Sequence, residues 1–341
     1  MVENGMRDAG YNMMLLDDCW AAHDRDENDE LQPMPDFFPS GMKALADYLH
    51  ERGMKLGLYT CVGTQTCKRN RPGSYGHFET DANTFAKWGI DMVKADYCYR
   101  PSNDDVVEWG GDIAQMFRIQ MDHIPLYNGP ASASGAGYGI GTKNIIDYMG
   151  DLHPSKWTKP HAWMDPDFLE TIFLEKYMDV DIMMNYTNSR TEFSFWAMWS
   201  SPLLVATDPA NLSEQKRSIL LNTEVIAVNQ DEAFIAGERI RNDNETSGGQ
   251  VWSRPLANGD ICVILFNSGN NNDVPVAVSW EELGWSNSDK VYVRDLWLHE
   301  DVGLVTGGFE SSLPAHDVTM LRVTRDLSRF DATFLQSLKQ L

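Results

Sequence analysis

The stretch Val93-Lys94-Ala95-Asp96-Tyr97-Cys98 decides the reading of this chain. The apolar run from Ile90 to Val93 reads as a buried strand, and it ends in a lysine, then a carboxylate two residues on, then a cysteine. Side chains two apart on a strand share a face, so Lys94 and Asp96 belong to one side of a sheet. The end of a strand is where α/β barrels carry their chemistry. An ammonium beside a carboxylate favours the ionised acid. An ionised Asp96 there has four open roles: nucleophile, general base, metal ligand, or acceptor for the hydroxyls of a sugar.

Short apolar runs alternate with amphipathic stretches over the first two-thirds of the chain. Strands are expected at Tyr11–Leu16, Leu56–Thr60, Asp91–Lys94, Ile124–Tyr127 and Leu203–Ala206, with Asn144–Met149 and Ala162–Met164 as further candidates. Helices are expected at Ser40–Arg52, Thr80–Trp88, Asp105–Met121 and Phe193–Trp199. Repeated βα units of this length imply parallel strands with helical crossovers, and about eight would close a barrel. After Gly237 the texture changes. Gln250–Arg254, Asp260–Phe266, Val274–Trp280, Lys290–Asp295 and Val318–Val323 are β-rich runs between Gly, Asn and Asp turns, the pattern of an antiparallel sandwich. The expected organisation is an α/β barrel over residues 1–237, a β-sandwich over 238–325 and a tail over 326–341, with Ser328–Leu341 a short amphipathic helix. The Gly-rich segment Ser132–Gly139 reads as a loop, and no Gly-Lys-Ser/Thr follows to make it a phosphate loop.

Composition removes several function classes. The 341 residues carry 28 Lys+Arg against 50 Asp+Glu, a net charge of −22, which argues against nucleic acid or an anionic membrane as partner. No apolar run approaches the ~20 residues of a membrane span. The start, Met1-Val2-Glu3-Asn4-Gly5, has no signal-peptide pattern, and the cysteines number five, an odd count. Sequons at Asn185, Asn211 and Asn244 would permit glycosylation in a secretory lumen.

Carboxylates gather where the expected strands end: Asp17 and Asp18, Asp96, Asp151, Asp165 and Asp167, and Asp208. A single acid after a strand is ordinarily a helix cap or a solvated turn, and Asp208 before Pro209 suits that role best. Several at one rim cost electrostatic energy unless they serve a ligand or a reaction. Hard-metal binding, glycoside cleavage by a carboxylate pair, and sugar binding without cleavage all fit such a rim. The fixed cation Lys94 on the face of Asp96 disfavours a metal, and no His/Cys set has zinc spacing.

Taken together, the motifs resemble glycoside hydrolase family 27, the α-galactosidases and α-N-acetylgalactosaminidases. Leu16-Asp17-Asp18-Cys19-Trp20 is similar to the family's LDDCW segment, and Lys94-Ala95-Asp96-Tyr97-Cys98 to its K-x-D-x-C segment. Gly63–Cys67 with Pro72–Ser74, Trp163–Asp167, Ser201–Leu204, Val225–Asp231, Arg294–Trp297 and Pro314–His316 follow in family order. The resemblance implies a cofactor-free retaining glycosidase acting on terminal α-linked galacto sugars, with Asp96 as nucleophile. It implies that Asp17 and Asp18 accept the sugar's 4- and 6-hydroxyls, that Lys94 binds a ring hydroxyl, and that Trp20, Cys98 and Asp167 line the sugar site. It also implies a Cys67–Cys98 disulfide, hence an oxidising compartment, secreted or lysosomal/vacuolar. The implied partners are galactose-containing oligosaccharides or glycoconjugates and, for assembly, a second copy of the chain.

The chain departs from the family pattern in four places. Nothing matches the Met-Gly-Trp-Asn-Ser-Trp type segment of the family's first strand, so the expectation is a barrel lacking that strand, with the partner of Cys19 upstream. The family sets an arginine four residues before its acid/base. Gly150-Asp151 nominates Asp151, whose fourth predecessor is Asp147; a shifted alignment sets Lys143 four before Asp147 and nominates Asp147 instead. Trp157 to Trp163 is too short for a crossover helix, since six residues span at most ~20 Å. Finally, Tyr127-Asn128-Gly129-Pro130 lacks the Cys-Glu/Ser-Trp signature that separates galactose from N-acetylgalactosamine.

Overall fold

Three apolar segments near the start of the chain, β1 (Met13–Leu16), β2 (Lys55–Cys61) and β3 (Met92–Asp96), pair in parallel in the order β1-β2-β3 in the computed structural model. The structure describes residues 1–330 except 69, 97, 100–115, 121, 130–138, 161, 173–175, 178–179, 182–183 and 244–245. Two units are distinguished, Met1–Arg118 and Ile119–Leu341.

In the first unit, helices α1 (Gly41–His50) and α2 (Phe78–Trp88) supply the crossovers that parallel pairing requires. Met42 and Ala46, four apart on α1, face Leu56 and Leu58 of β2 and Phe85 of α2 in one buried cluster. Gly89 at φ +76° ends α2 in the left-handed conformation that turns the chain into β3. A further strand, β4 (Met116–Arg118), closes this unit. It overturns the end of the helix expected over Asp105–Met121, most of which lies outside the described residues.

The second unit opens with β5 (Asp122–His123) and β6 (Gly139–Ile140), a parallel pair, followed by α3 (Thr142–Leu152). β7 (Trp163–Asp165), the antiparallel pair β8 (Lys176–Tyr177) and β9 (Val180–Asp181), and α4 (Tyr186–Met198), α5 (Glu214–Leu220) and α6 (Thr223–Asn229) complete its helical part. Asn144–Met149 is helix rather than strand: Ile145, Ile146 and Met149 are fully buried along one face of α3, at spacings of one and four. At Ile124–Tyr127 the paired strand is only Asp122–His123, because the chain turns directly afterwards, Leu126 N donating to Ile124 O. Leu203–Ala206 contributes one parallel bridge, Leu169 to Val205. The Gly-rich segment lies outside the described residues up to 138. So does the expected tail helix beyond 330, where the described part is a single 3₁₀ turn, Leu327–Arg329, capped by Asp326.

The sandwich follows the expected pattern. A six-stranded antiparallel sheet has the order β10-β11-β12-β17-β14-β15, from β10 (Glu238–Asp243), β11 (Gly249–Pro255), β12 (Ile261–Asn267), β14 (Val291–Asp295), β15 (Glu300–Val305) and β17 (Val318–Thr324). The pair β13 (Val274–Ser279) and β16 (Gly308–Leu313) packs on it. Val274, Val276 and Val278 alternate inward from β13 against Val251, Val263, Val293 and Leu321. β10, β15 and β16 are not among the expected strands, because charged residues, Gly and Ser dilute their apolar alternation. Four of the tryptophans, Trp196, Trp199, Trp252 and Trp280, are fully buried, so the aromatic richness serves the core here. Among the described residues no helix is long and apolar enough to cross a membrane.

Candidate active site

Register in the first unit builds a rim of functional side chains. Leu16 pairs with Leu58 and Leu58 with Val93, so the next residues, Asp17, Tyr59 and Lys94, stand in one row at the strand ends. Lys94 Nζ donates to Asp17 Oδ2 at 2.7 Å and sits 5.9 Å from the Tyr59 ring centroid. The Lys94 side chain is 4% exposed and that of Asp17 40%, so the pair is anchored below and open above. Two residues further on, Asp96 pairs with Cys61, and the Tyr59 hydroxyl donates to Asp96 Oδ2 at 2.9 Å.

Burial, then the neighbouring Asp96 charge, hold the Tyr59 phenol well above its usual range, so it remains a donor to this carboxylate. Tyr59 is absent from the sequence-derived candidates. Its place beside Lys94 depends on the β2–β3 register, which strand periodicity within either segment does not give.

Asp17 and Asp18 are fixed by the backbone around them. Asp17 Oδ1 accepts from Asp18 N at 2.8 Å, and Asp18 accepts from Cys19 N at 2.6 Å and Lys68 N at 3.0 Å. Trp20 lies in the core beneath, 5% exposed, with edge-on contacts to Phe85 and Trp88, and its indole N–H donates to Tyr59 O at 2.7 Å.

The Cys67–Cys98 disulfide is present, with S–S 2.05 Å. Cys67 Sγ lies 3.1 Å from Asp96 Oδ2, so the bridge abuts the candidate nucleophile. Cys61 fastens the same loop from the other side, donating to Cys98 O and accepting from Cys98 N, while burial pushes its thiol up to about 11. Gly63 is needed there, because a Cβ would come 1.9 Å from Cys98 O. Cys67, Asp96 and Cys98 are the one close group of potential metal ligands among the described residues, and two of its three donors are tied up in the disulfide.

The remaining candidates lie in the second unit. On α3, Lys143 Nζ donates to Asp147 Oδ2, and Gln250 Nε2 donates to Asp147 Oδ1 at 2.9 Å. Asp151, one turn on, is 76% exposed and takes Arg239 Nη2. Asp167 is 3% exposed at φ +82°, accepts from His123 N at 2.9 Å, and receives the Trp196 indole on its carbonyl.

Near Asp167 lie two acids absent from the sequence-derived candidates, the half-buried Glu170 and the fully buried Glu192. Glu192 Oε1 accepts from Glu170 N at 2.7 Å and lies 3.6 Å from His123 Nδ1; its Oε2 is buried without a hydrogen-bond partner among the described residues. Burial, reinforced by the Glu170 charge, holds the Glu192 carboxyl well above the usual range. Burial and the Asp167 charge raise Glu170 to about 7. Folding therefore favours the protonated acids. Their contribution is fully present below the unfolded value near 4.5 and is lost as pH rises toward and through the folded values. Between pH 5 and 8, melting temperature should fall with rising pH, each acid that stays protonated in the fold costing up to about 1.4 kcal/mol per pH unit. Glu192→Gln should flatten that slope, read by calorimetry across the range. An unchanged slope would mean Glu192 is ionised in the fold.

The family model described as alpha galactosidase A matches residues 1–117 and 140–231, and that for the alpha galactosidase C-terminal beta sandwich domain matches 246–323. The chain is 33% identical over 352 residues to an alpha-galactosidase of Cyamopsis tetragonoloba, covering 95% of this chain and 80% of that protein. It is 35% identical over 344 residues to alpha-galactosidase 3 of Arabidopsis thaliana, covering 95% and 76%. The crystal structure of alpha-galactosidase I from Mortierella vinacea superposes with TM-score 0.83 at 29% identity, covering 95% of this chain and 90% of that one. The fold class is an α/β barrel of the TIM type followed by an antiparallel β-sandwich.

Proposed function

Because this chain belongs to the α-galactosidase family, glycoside hydrolase family 27, and is a glycosidase, we propose that it releases terminal α-linked galactose by double displacement. The observation that carries this reading is the Asp17–Tyr59–Lys94 row with Asp96 one pleat beyond it at the end of β3. A carboxylate held by a phenol donor, next to a buried lysine and two backbone-anchored aspartates, suits a polyhydroxylated ring better than a metal or an anion. Asp17 and Asp18 accept sugar hydroxyls, Lys94 donates to one, and Asp167 adds a further acceptor. Trp20 supports this wall from beneath, and Cys98, through its bridge to Cys67, aims the β3 loop.

In the first step an Asp96 oxygen bonds to the anomeric carbon as the aglycone C–O bond breaks, and an acid gives its proton to the departing oxygen. Water then attacks the same carbon, the conjugate base takes its proton, and the Asp96 ester is released. The reaction runs on carboxylates and draws on no cofactor. For the acid/base, the Gly150-Asp151 motif match favoured Asp151. The bonded Lys143–Asp147 pair, a cation four residues before an acid, supports Asp147 instead. We take residues 1–237 as the catalytic part, 238–325 as the sandwich and 326–341 as the tail. The Cys67–Cys98 bridge supports a secretory or lysosomal/vacuolar location.

The test is to follow hydrolysis of an aryl α-galactoside by NMR. The first sugar released should be the α anomer; β-galactose would overturn double displacement. Galactose binding with no turnover would point to a binding protein that has lost cleavage.

A further inference from the structure

We propose that the first unit holds a site for a single monatomic anion, of the chloride class, in the small cavity lined by Arg71, Thr66, Asp18, Trp20, Leu31 and Tyr59. Arg71 is 7% exposed. Its Nη1 donates to Asn70 O at 2.9 Å and lies 2.7 Å from His23 Nδ1, which is itself 3.0 Å from Asn70 O. Its Nε is buried and has no hydrogen-bond partner among the described residues, and no carboxylate there lies within ion-pair distance of the guanidinium. Thr66 Oγ1 is likewise buried without a partner among the described residues.

These two groups are brought together by the loop itself. Gln65 bridges Pro72, and Thr66 N donates to Arg71 O at 3.1 Å, so Thr66 and Arg71 oppose one another across a narrow ribbon. The loop therefore holds two hydrogen-bond donors at one small space.

Charge and size select the guest. A buried cation without a counter-charge is costly, and an orphaned buried donor adds to that cost. A water would satisfy the donors and leave the charge; an anion answers both. The cavity has room for about one water-sized guest, which excludes phosphate, sulfate and carboxylates. Leu31 and the Trp20 ring supply the apolar walls that a weakly hydrated halide tolerates. Asp18 borders the space with its charge, but it already accepts from Cys19 N and Lys68 N, which draws its oxygens toward the backbone.

The test uses the full chain and sodium chloride against sodium gluconate at equal ionic strength. Melting temperature should rise with chloride and saturate, as it does when a ligand binds only the folded state. Arg71→Met should abolish the difference. Should that variant fail to fold, Thr66→Val keeps the charge and the volume, and should raise the half-saturating chloride concentration by roughly tenfold, the effect of one lost hydrogen bond. Crystals grown in sodium bromide should show an anomalous peak beside Arg71 Nε. Identical melting in the two salts, or ordered water there with no anomalous signal, would overturn the proposal.

Discussion

Asp96→Asn should lower turnover of an aryl α-galactoside by a factor on the order of 10⁴ or more, the scale seen when a nucleophile is removed from a catalytic set. That is roughly 5.5 kcal/mol of transition-state stabilisation. The asparagine keeps a carbonyl oxygen as acceptor for Tyr59 O–H, so the contact at 2.9 Å survives and melting temperature should change little. What is lost is the negative oxygen that forms the ester. Added azide makes the test specific. It can attack the anomeric carbon in place of the missing carboxylate, with the aryl phenolate leaving, and should restore part of the rate while producing β-galactosyl azide. A variant that stays well above a tenth of the parent rate would remove Asp96 from the nucleophile role. A variant rescued with retained α product would place the attacking group elsewhere.

What the sequence disclosed about this site follows the range of the interactions. The β3 segment was legible because burial and parity are local: a short apolar run, then Lys94 and Asp96 on one face. The pair found in the fold is different in kind. Lys94 reaches Asp17, 77 positions away, because β1, β2 and β3 align in register, and Tyr59 joins them for the same reason. No periodicity within a single strand carries that information.

The same limit explains α3. Ile145 and Ile146 are β-branched and suggest a strand, but burial against the second unit's core fixes a helix. It explains Glu192 as well, a fully buried acid inside a helix whose sequence reads as polar and aromatic without a clear stripe. The sandwich, by contrast, was largely readable, since alternating Val at 274, 276 and 278 encodes both the strand and its inward face. Its polar strands were not, because edge positions are free to carry charge.

The acid/base is where the motif match and the contacts disagree, and Asp147→Asn against Asp151→Asn separates them. Asp147→Asn should reduce kcat on a galactoside with a poor, alkoxide leaving group by on the order of 10²–10⁴, the usual contribution of a positioned proton donor. On an aryl substrate whose phenolate leaves without a proton, the loss in the first step should be much smaller, and this contrast marks an acid rather than a structural residue. Asp151→Asn should stay within about threefold on both substrates, because Asp151 is mostly exposed and its recorded partner is Arg239.

The two carboxylates differ in their surroundings. Asp147 is 30% exposed by side chain and is held by Lys143 and by Gln250, with Arg239 Nη1 3.7 Å from its Oδ1. A proton donor needs that kind of fixed aim. Asp151 lies at the solvent end of the same helix and contacts Arg239. Lys143→Met is the positioning control. It should leave Asp147 in place but poorly aimed, lowering kcat on the poor leaving group more than on the aryl substrate. If Asp151→Asn shows the leaving-group contrast and Asp147→Asn does not, the acid is Asp151, and the Lys143 pair is a surface feature of α3.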